Sequence, residues 1–270
     1  MILPETLDYP IVAVGDLHGQ IDDLRRLVGK LERLPEWPDC ALAFLGDFVD
    51  RNPGVRATID LALELLDRPA GGSAVTGNHD LALVRAARLD DGPPSSYWPD
   101  RYRIGYDCRE TFLSYLGRAA TSWPSDLEAL REAIPRRHRD FLASLRWVVE
   151  APGHLFLHNG LSGELSATPE AQVEALRARR WERSTLGPVP GAATDRLWVD
   201  EYPVWLGADR GLSASPLAYP GKVQVSGHVR VRRPEADAVR VRIDTGGGHG
   251  PLTACLLRSA DAPPVFISSR

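Results

Sequence analysis

An apolar run, a glycine, a polar turn and then a helical pattern recur in that order three times between residues 11 and 86, and no other feature limits the fold as tightly. First, Val12-Ala13-Val14 meets Gly15-Asp16-Leu17-His18-Gly19. Ile21, Leu24, Leu27, Val28, Leu31 and Leu34 then recur at helical spacing until Pro35 and Pro38. Second, Cys40 to Leu45 runs into Gly46-Asp47-Phe48-Val49-Asp50-Arg51-Asn52, with Val55, Ile59, Ala62 and Leu66 on the buried side of the next helix. Third, a weaker strand at about 73–75 leads to Thr76-Gly77-Asn78-His79-Asp80 ahead of another helix. Strand, turn and helix in succession predict neighbouring parallel strands with right-handed crossovers. In such sheets the pocket lies beyond the carboxyl ends of the strands, where the three polar turns gather.

Residues from about 90 to 147 break the rhythm with Pro93-Pro94, several aromatics and two helical patterns, one opening on the capping-box spacing Ser125 to Glu128. This stretch reads as a helical insertion that shapes or covers the site, or as extra packing around the core. Strands return around Trp147 to Leu157, split at Pro152-Gly153, and lead into His158-Asn159-Gly160. Thr168-Pro169 starts a further helix with a cap and a proline at its first position. Thr185 to Thr194, rich in Gly, Pro and Ala, reads as a loop rather than a domain linker. In the last third, Val223 to Ser226 runs into Gly227-His228, Val239 to Ile243 precedes Asp244-Thr245-Gly246, and Thr253 to Leu257 is short and apolar. Their hairpin-like spacing predicts an antiparallel sheet that completes a two-sheet core flanked by helices, an α/β (α+β) sandwich in one domain spanning residues 1–270.

Composition excludes several classes. Apolar content of 43% and charged content of 25% suit a globular chain, and a net charge of −4 supplies no basic field for general nucleic-acid binding. Cys40, Cys108 and Cys255 are far apart and form no CxxC pair, which argues against a disulfide framework or a thiolate zinc site and for reduced thiols in the cytoplasm. The start Met-Ile-Leu-Pro-Glu lacks a basic head and apolar core, and no apolar run reaches the roughly 18 residues that span a bilayer.

Collected from the strand ends, Asp16, His18, Asp47, Asn78, His158 and His228 are oxygen and nitrogen donors without a thiolate, a set suited to Mn, Fe or Zn. Six donors exceed what one ion with an open position accepts and match two ions sharing a bridge. Ions roughly 3.5–4 Å apart bind a phosphoryl group and lower the pKa of a shared water. Asp47, anionic and in the central turn, is the expected bridge.

Gly15-Asp16-x-His18, Gly46-Asp47-x-x-Asp50-Arg51, Gly77-Asn78-His79-Asp80, His158-x-Gly160 and Gly227-His228 together resemble the ordered signature of calcineurin-like metallophosphoesterases. Within these, the chain is similar to the phosphoprotein-phosphatase branch, including small bacterial and phage serine/threonine phosphatases and symmetrical diadenosine tetraphosphatases. The resemblance implies a four-layer αββα fold with two divalent ions, Mn2+ foremost and Fe, Zn or Ni otherwise. Asp16 and His18 would hold the first ion, Asn78, His158 and His228 the second, and Asp47 both. It also implies in-line attack on a phosphomonoester by a hydroxide bridging the metals. His79 would be the general acid, oriented by Asp50, with Arg51, Arg210 and Asn78 against the phosphate; Arg210 comes from Ala208-Asp209-Arg210-Gly211 after Leu197-Trp198. A carboxylate partner aims an imidazole and raises its pKa, and an arginine fork grips phosphate oxygens, so the physics agrees.

Three positions depart from the family: Asn52 stands where glycine is usual, Asp80 replaces glutamate, and Asn159 stands where Gly or Ala follows the histidine. None removes a reacting group. Taken singly, Asp16, Asp47 and Asp80 read as turn or helix-cap carboxylates, and His158 and His228 as core histidines; the ordered set is what reads as ligation. His138 is expected at the surface and His154 in packing. His249 stays open, as does Asp244 between supporting the site and a simple turn. Arg230, Arg232 and Arg233 read as a solvated face. The expected substrate is a phosphorylated protein or a small phosphoester, with phosphoserine or phosphothreonine ahead of diadenosine tetraphosphate and RNA phosphoesters. Specificity is expected from the 90–147 insertion and a loop at 184–196. The contrasting class, a non-catalytic scaffold, is opposed by the full complement of ligands and acid.

Overall fold

Why the first strands sit at the centre follows from their burial on both faces. The computed structural model describes residues 2–92, 96–123, 125–163, 165, 167–179, 205 and 217–270. Within it β1 (Ile11–Val14), β2 (Ala41–Phe44) and β3 (Gly72–Ala74) run parallel in that order. On the far side of β1 lie β9 (Thr253–Leu257) and then β10 (Val265–Ser268), both pairing antiparallel. Among the described residues a second five-stranded sheet has the order β4 (Val149–Ala151), β5 (His154–Leu157), β6 (Val223–Ser226), β8 (Arg240–Arg242) and β7 (Glu235–Ala236).

The period-two alternation of strand side chains builds the layers. Ile11, Ala13, Ala43 and Cys255 of the first sheet meet Phe156, Val225 and Val241 of the second in the layer between them. Val12, Val14, Leu42 and Phe44 face the opposite way, against helices. These include α1 (Ile21–Leu31), which buries Leu24, Leu27 and Leu31, and α2 (Val55–Leu66), which buries Val55, Ile59, Ala62 and Leu66. Leu155 and Leu157 turn outward to Val173 and Leu176 of α8 (Pro169–Arg177), closing a helix–sheet–sheet–helix sandwich. Thr168 caps α8 by accepting from Ala171 N at 3.3 Å, with Pro169 at the first helical position as expected.

Several expectations are corrected. The second sheet is mixed, not antiparallel, because β5, β6 and β8 run parallel. Thr253–Leu257 is buried along its whole length, a demand met beside β1 in the first sheet and not at a hairpin edge. In place of two helical patterns, the insertion contains four helices among its described residues: α4 (Tyr97–Gly105), α5 (Arg109–Leu116), α6 (Ser125–Ala133) and α7 (Arg136–Ser144). Ser125 does not cap α6, since its hydroxyl donates to Ser122 O. The Asp126 carboxylate one residue on ties the preceding turn to the helix, accepting from Thr121 N and Ser122 N at 2.6 and 2.5 Å. α1 stops at Leu31, before Pro35, and Leu34 packs on the core from beyond its end.

His138 is fully buried, not at the surface, because Tyr115 Oη (2.8 Å) and Asp60 Oδ1 (2.9 Å) bond its two ring nitrogens. His154 is packed within β5 beside Tyr9, and His249 is exposed. Arg230, Arg232 and Arg233 are solvated as expected. All three cysteines are buried, unpaired thiols. No helix among the described residues is long and apolar enough to cross a membrane. The stretches 185–194 and 184–196 lie outside the described residues.

Candidate functional site

At the carboxyl ends of β1, β2, β5 and β6 the backbone itself marks a site. Among the described residues, seven non-glycines have positive φ, and five of them are His18 (40°), Asp47 (52°), Asp50 (71°), Arg51 (64°) and His228 (59°). Such strain concentrates where the surroundings enforce a particular side-chain aim. Two glycines allow the turns to close on one another. A methyl at Gly77 would stand 2.0 Å from Asp47 Oδ1, and one at Gly227 the same distance from Asp16 Oδ1. The third polar turn is the first turn of α3 (Asn78–Ala86), not a loop ahead of it, because the Asp80 carboxylate caps that end by accepting from Gly77 N (3.0 Å) and Phe48 N (2.8 Å). The aspartate standing in for glutamate thus ties the second and third turns together.

Asp47 lies between two imidazole groups. His18 Nδ1 donates to Val49 O at 2.9 Å, which fixes its tautomer and leaves Nε2 as a bare lone pair 3.2 Å from Asp47 Oδ2. That Nε2 is buried with no hydrogen-bond partner. His158 repeats the device: Nδ1 donates to Leu45 O at 2.7 Å, and Nε2 faces Asn78 Oδ1 (3.0 Å), His228 Nδ1 (3.1 Å) and Asp47 Oδ1 (3.6 Å). Acceptors turned toward acceptors in a buried place are the donor set of a cation, and an outward N–H to a carbonyl is how ligating histidines are held. The residues therefore fit divalent ions. Donor atoms of His18, Asp47 and His79 lie within 4.8 Å of one another, as do those of Asp47, His158 and His228. Asp16 is buried beside them, its carboxylate accepting from His228 N at 3.0 and 3.2 Å.

His79 belongs geometrically to the first set, yet its ring is already engaged. Nδ1 bonds Asp50 Oδ2 at 2.7 Å, Nε2 receives Arg51 Nη2 at 3.2 Å, and the ring packs edge-on against His18 and Tyr106 at 4.7 Å each. Arg51 also donates to Gly247 O at 2.7 Å. Asn52, where glycine is usual, donates to His18 O and Gly248 O at 2.8 and 2.5 Å and so braces both loops.

Burial and the negative charges of Asp244 and Asp47 push the Asp16 carboxyl well above the usual range. Burial and His158 lower His228 to about 3, so its ring is neutral and open to an ion. Burial raises Asp80 to about 7, reinforced by Asp47.

The structure thus brings Asp16, His18, Asp47, Asp50, Arg51, Asn78, His79, His158 and His228 to one place. Arg210 lies outside the described residues. Asp244 is buried at the edge of the site, accepting from Gly247 N at 2.7 Å. Sequence reasoning missed Tyr102, Tyr106 and Thr111, which reach the site from the insertion; no local spacing signals them, since their partners lie 27 to 61 positions away.

The family model described as calcineurin-like phosphoesterase matches residues 9–231. A symmetrical bis(5'-nucleosyl)-tetraphosphatase from Janthinobacterium sp. (strain Marseille) is 30% identical over 193 residues, which are 72% of this chain and 57% of that one. A candidate serine/threonine-protein phosphatase from Caenorhabditis elegans is 48% identical over 78 residues, 28% of this chain and 21% of its own. The chain thus spans about half the length of the first of these relatives and a fifth of the second. The crystal structure of a candidate diadenosine tetraphosphatase shares the fold, with a TM-score of 0.56 at 18% identity over 98% of this chain and 97% of that one.

Proposed function

The chain belongs to the calcineurin-like phosphoesterase family, and from that footing we propose that it is a hydrolase of phosphate esters whose site holds two divalent ions, Mn2+ foremost and Fe, Zn or Ni otherwise. The observation that carries the reading is Asp47, whose two oxygens separately face lone-pair nitrogens of His18 and His158. Asp16 and His18 would hold one ion and Asn78, His158 and His228 the other, with Asp47 shared. Bound there, the ions supply charge for the phosphoryl oxygens and a water of lowered pKa. Arg51 and Asn78 orient the phosphate; the Arg51 fork that rests on Gly247 O and His79 Nε2 is directed to substrate oxygens instead. His79 gives a proton from Nε2 to the leaving oxygen while Asp50 holds the Nδ1 proton. We read residues 1–270 as one domain and place it in the cytoplasm, in keeping with three unpaired thiols.

A phosphoserine or phosphothreonine monoester is the preferred substrate, supported by similarity to a candidate serine/threonine phosphatase over 78 residues. A nucleotide substrate is the second reading, favoured by a cavity of about 720 Å3 in the insertion, bordered by Tyr106, Phe112, Trp123, Arg103 and Arg109. Aromatic faces with arginines suit a base and its phosphates. Turnover of phosphopeptides beside diadenosine tetraphosphate in added manganese separates the two. Hydrolysis of phosphopeptides is expected, activity on the dinucleotide alone rejects the preferred substrate, and no hydrolysis even of p-nitrophenyl phosphate rejects the function.

A further inference from the structure

The Asp50 carboxylate is fully buried and receives three hydrogen bonds, only one of them from His79. Oδ2 takes the His79 Nδ1 proton at 2.7 Å. Oδ1 takes the Tyr102 hydroxyl at 2.7 Å and the Thr111 hydroxyl at 2.5 Å. The Thr111 proton has no other choice of direction, because its oxygen already accepts from Asp50 N at 3.0 Å. Burial, together with the charge of Asp50, pushes the Tyr102 hydroxyl well above its usual range, which keeps it a donor. Both residues belong to the insertion, Tyr102 in α4 and Thr111 in α5, whereas Asp50 and His79 stand on the core. A buried carboxylate oxygen stripped of its donors bears a desolvation cost and turns to find others, carrying the Oδ2–imidazole bond with it.

We propose that Tyr102 and Thr111 are positioning residues for proton transfer: by saturating Asp50 Oδ1 they lock the carboxylate that aims His79, so that the insertion sets the reach of the acid as well as packing beside it. The inference rests on the reading of His79 as general acid. In that step a water oxygen bonds to phosphorus as the P–O bond to the leaving group breaks, and the electron pair of the broken bond stays on the leaving oxygen. The Nε2 proton of His79 moves to that oxygen, and the ring is left neutral, keeping the Nδ1 proton that it donates to Asp50 Oδ2. The better the leaving group carries negative charge by itself, the less the aim of the acid matters.

The test compares phenyl phosphate, a poor leaving group, with 2,4-dinitrophenyl phosphate, a good one. Tyr102→Phe and Thr111→Val are each expected to lower kcat on phenyl phosphate by about 10- to 100-fold with KM nearly unchanged, and on the dinitrophenyl ester by much less. Thr111→Ser, which keeps the hydroxyl, restores most of the loss. In a His79→Asn background neither substitution costs anything further. In the metal-free protein, the strongly hydrogen-bonded Nδ1 proton of His79, identified by its loss in His79→Asn, shifts in the proton NMR spectrum of Tyr102→Phe. Equal losses on both esters, or undiminished losses in the His79→Asn background, overturn the inference. Should the wild-type protein hydrolyse neither ester, the function fails, and the NMR signal alone decides the positioning: an unmoved signal refutes it.

Discussion

Replacing Gly77 by alanine adds one methyl at the point where two of the site-forming turns touch. It would stand 2.0 Å from Asp47 Oδ1 and 2.4 Å from Asp47 N, against the 3.4 Å at which ordinary contact begins. Even the nitrogen must therefore retreat by about 1 Å. A side chain could rotate away, but Asp47 N is backbone, and the same residue's carbonyl receives Leu17 N at 3.1 Å and His18 N at 2.6 Å. Asp47 Oδ1 in turn receives His79 N at 3.0 Å. The displacement thus passes to His18 and His79 together. Overpacking of this kind destabilises by about 1–3 kcal/mol. A 1 Å misplacement of reacting groups costs activity on the order of 100-fold. Thermal unfolding of the metal-free protein measures the first, kcat on p-nitrophenyl phosphate in saturating manganese the second. Activity within threefold of wild type at unchanged stability would refute the claim that these turns are interlocked.

Gly29, by contrast, lies within α1 with nothing within 4 Å of the added methyl, so Gly29→Ala is expected to raise stability by about 0.4–1 kcal/mol in urea unfolding. Burial alone would raise Asp23, but hydrogen bonds from Arg270, Arg26 and Ser269 outweigh it and hold the carboxyl well below its usual range. A depressed folded pKa stabilises above the unfolded value of about 4 and is lost as pH falls through the folded one, so Asp23→Asn should cost about 1–3 kcal/mol at pH 7 and progressively less under acid conditions below about pH 4. Manganese added to the chelated protein should raise its stability with concentration, by about 2.7 kcal/mol at a hundred times Kd for one ion. Asp47→Asn should abolish that gain, whereas His79→Asn should keep it.

Each ligand-bearing turn could be read from the chain because strand, glycine and polar pair are neighbours in sequence, and their chemistry needs nothing from afar. Asp16, His18, Asp47, Asn78, His158 and His228 gather for that reason. Strand direction was less legible. Val223 to Ser226 and Arg240 to Arg242 have hairpin-like spacing, yet they pair in parallel because the intervening chain leaves the sheet edge through His228 before β7 returns beside β8. His138 illustrates a second limit. A histidine among arginines looks solvated until Tyr115 and Asp60, 23 and 78 positions away, close on it. Tyr102 and Thr111 escaped notice for the same reason, since a tyrosine in a helix declares packing and only the fold brings Asp50 beneath its hydroxyl.

The left-handed backbone at His18, Asp47, Asp50, Arg51 and His228 bears on any attempt to re-engineer the ion preference. Asn, Asp and His tolerate that conformation better than other chiral residues, so the types that suit hard and borderline cations are also those the main chain accepts there. Exchanging His18 or His228 for a β-branched or bulky side chain changes two things at once, donor chemistry and a conformational cost of about 1–3 kcal/mol. Asparagine and glycine are the replacements that separate them, and a ligand scan of this centre is interpretable only when each substitution is read against one of the two.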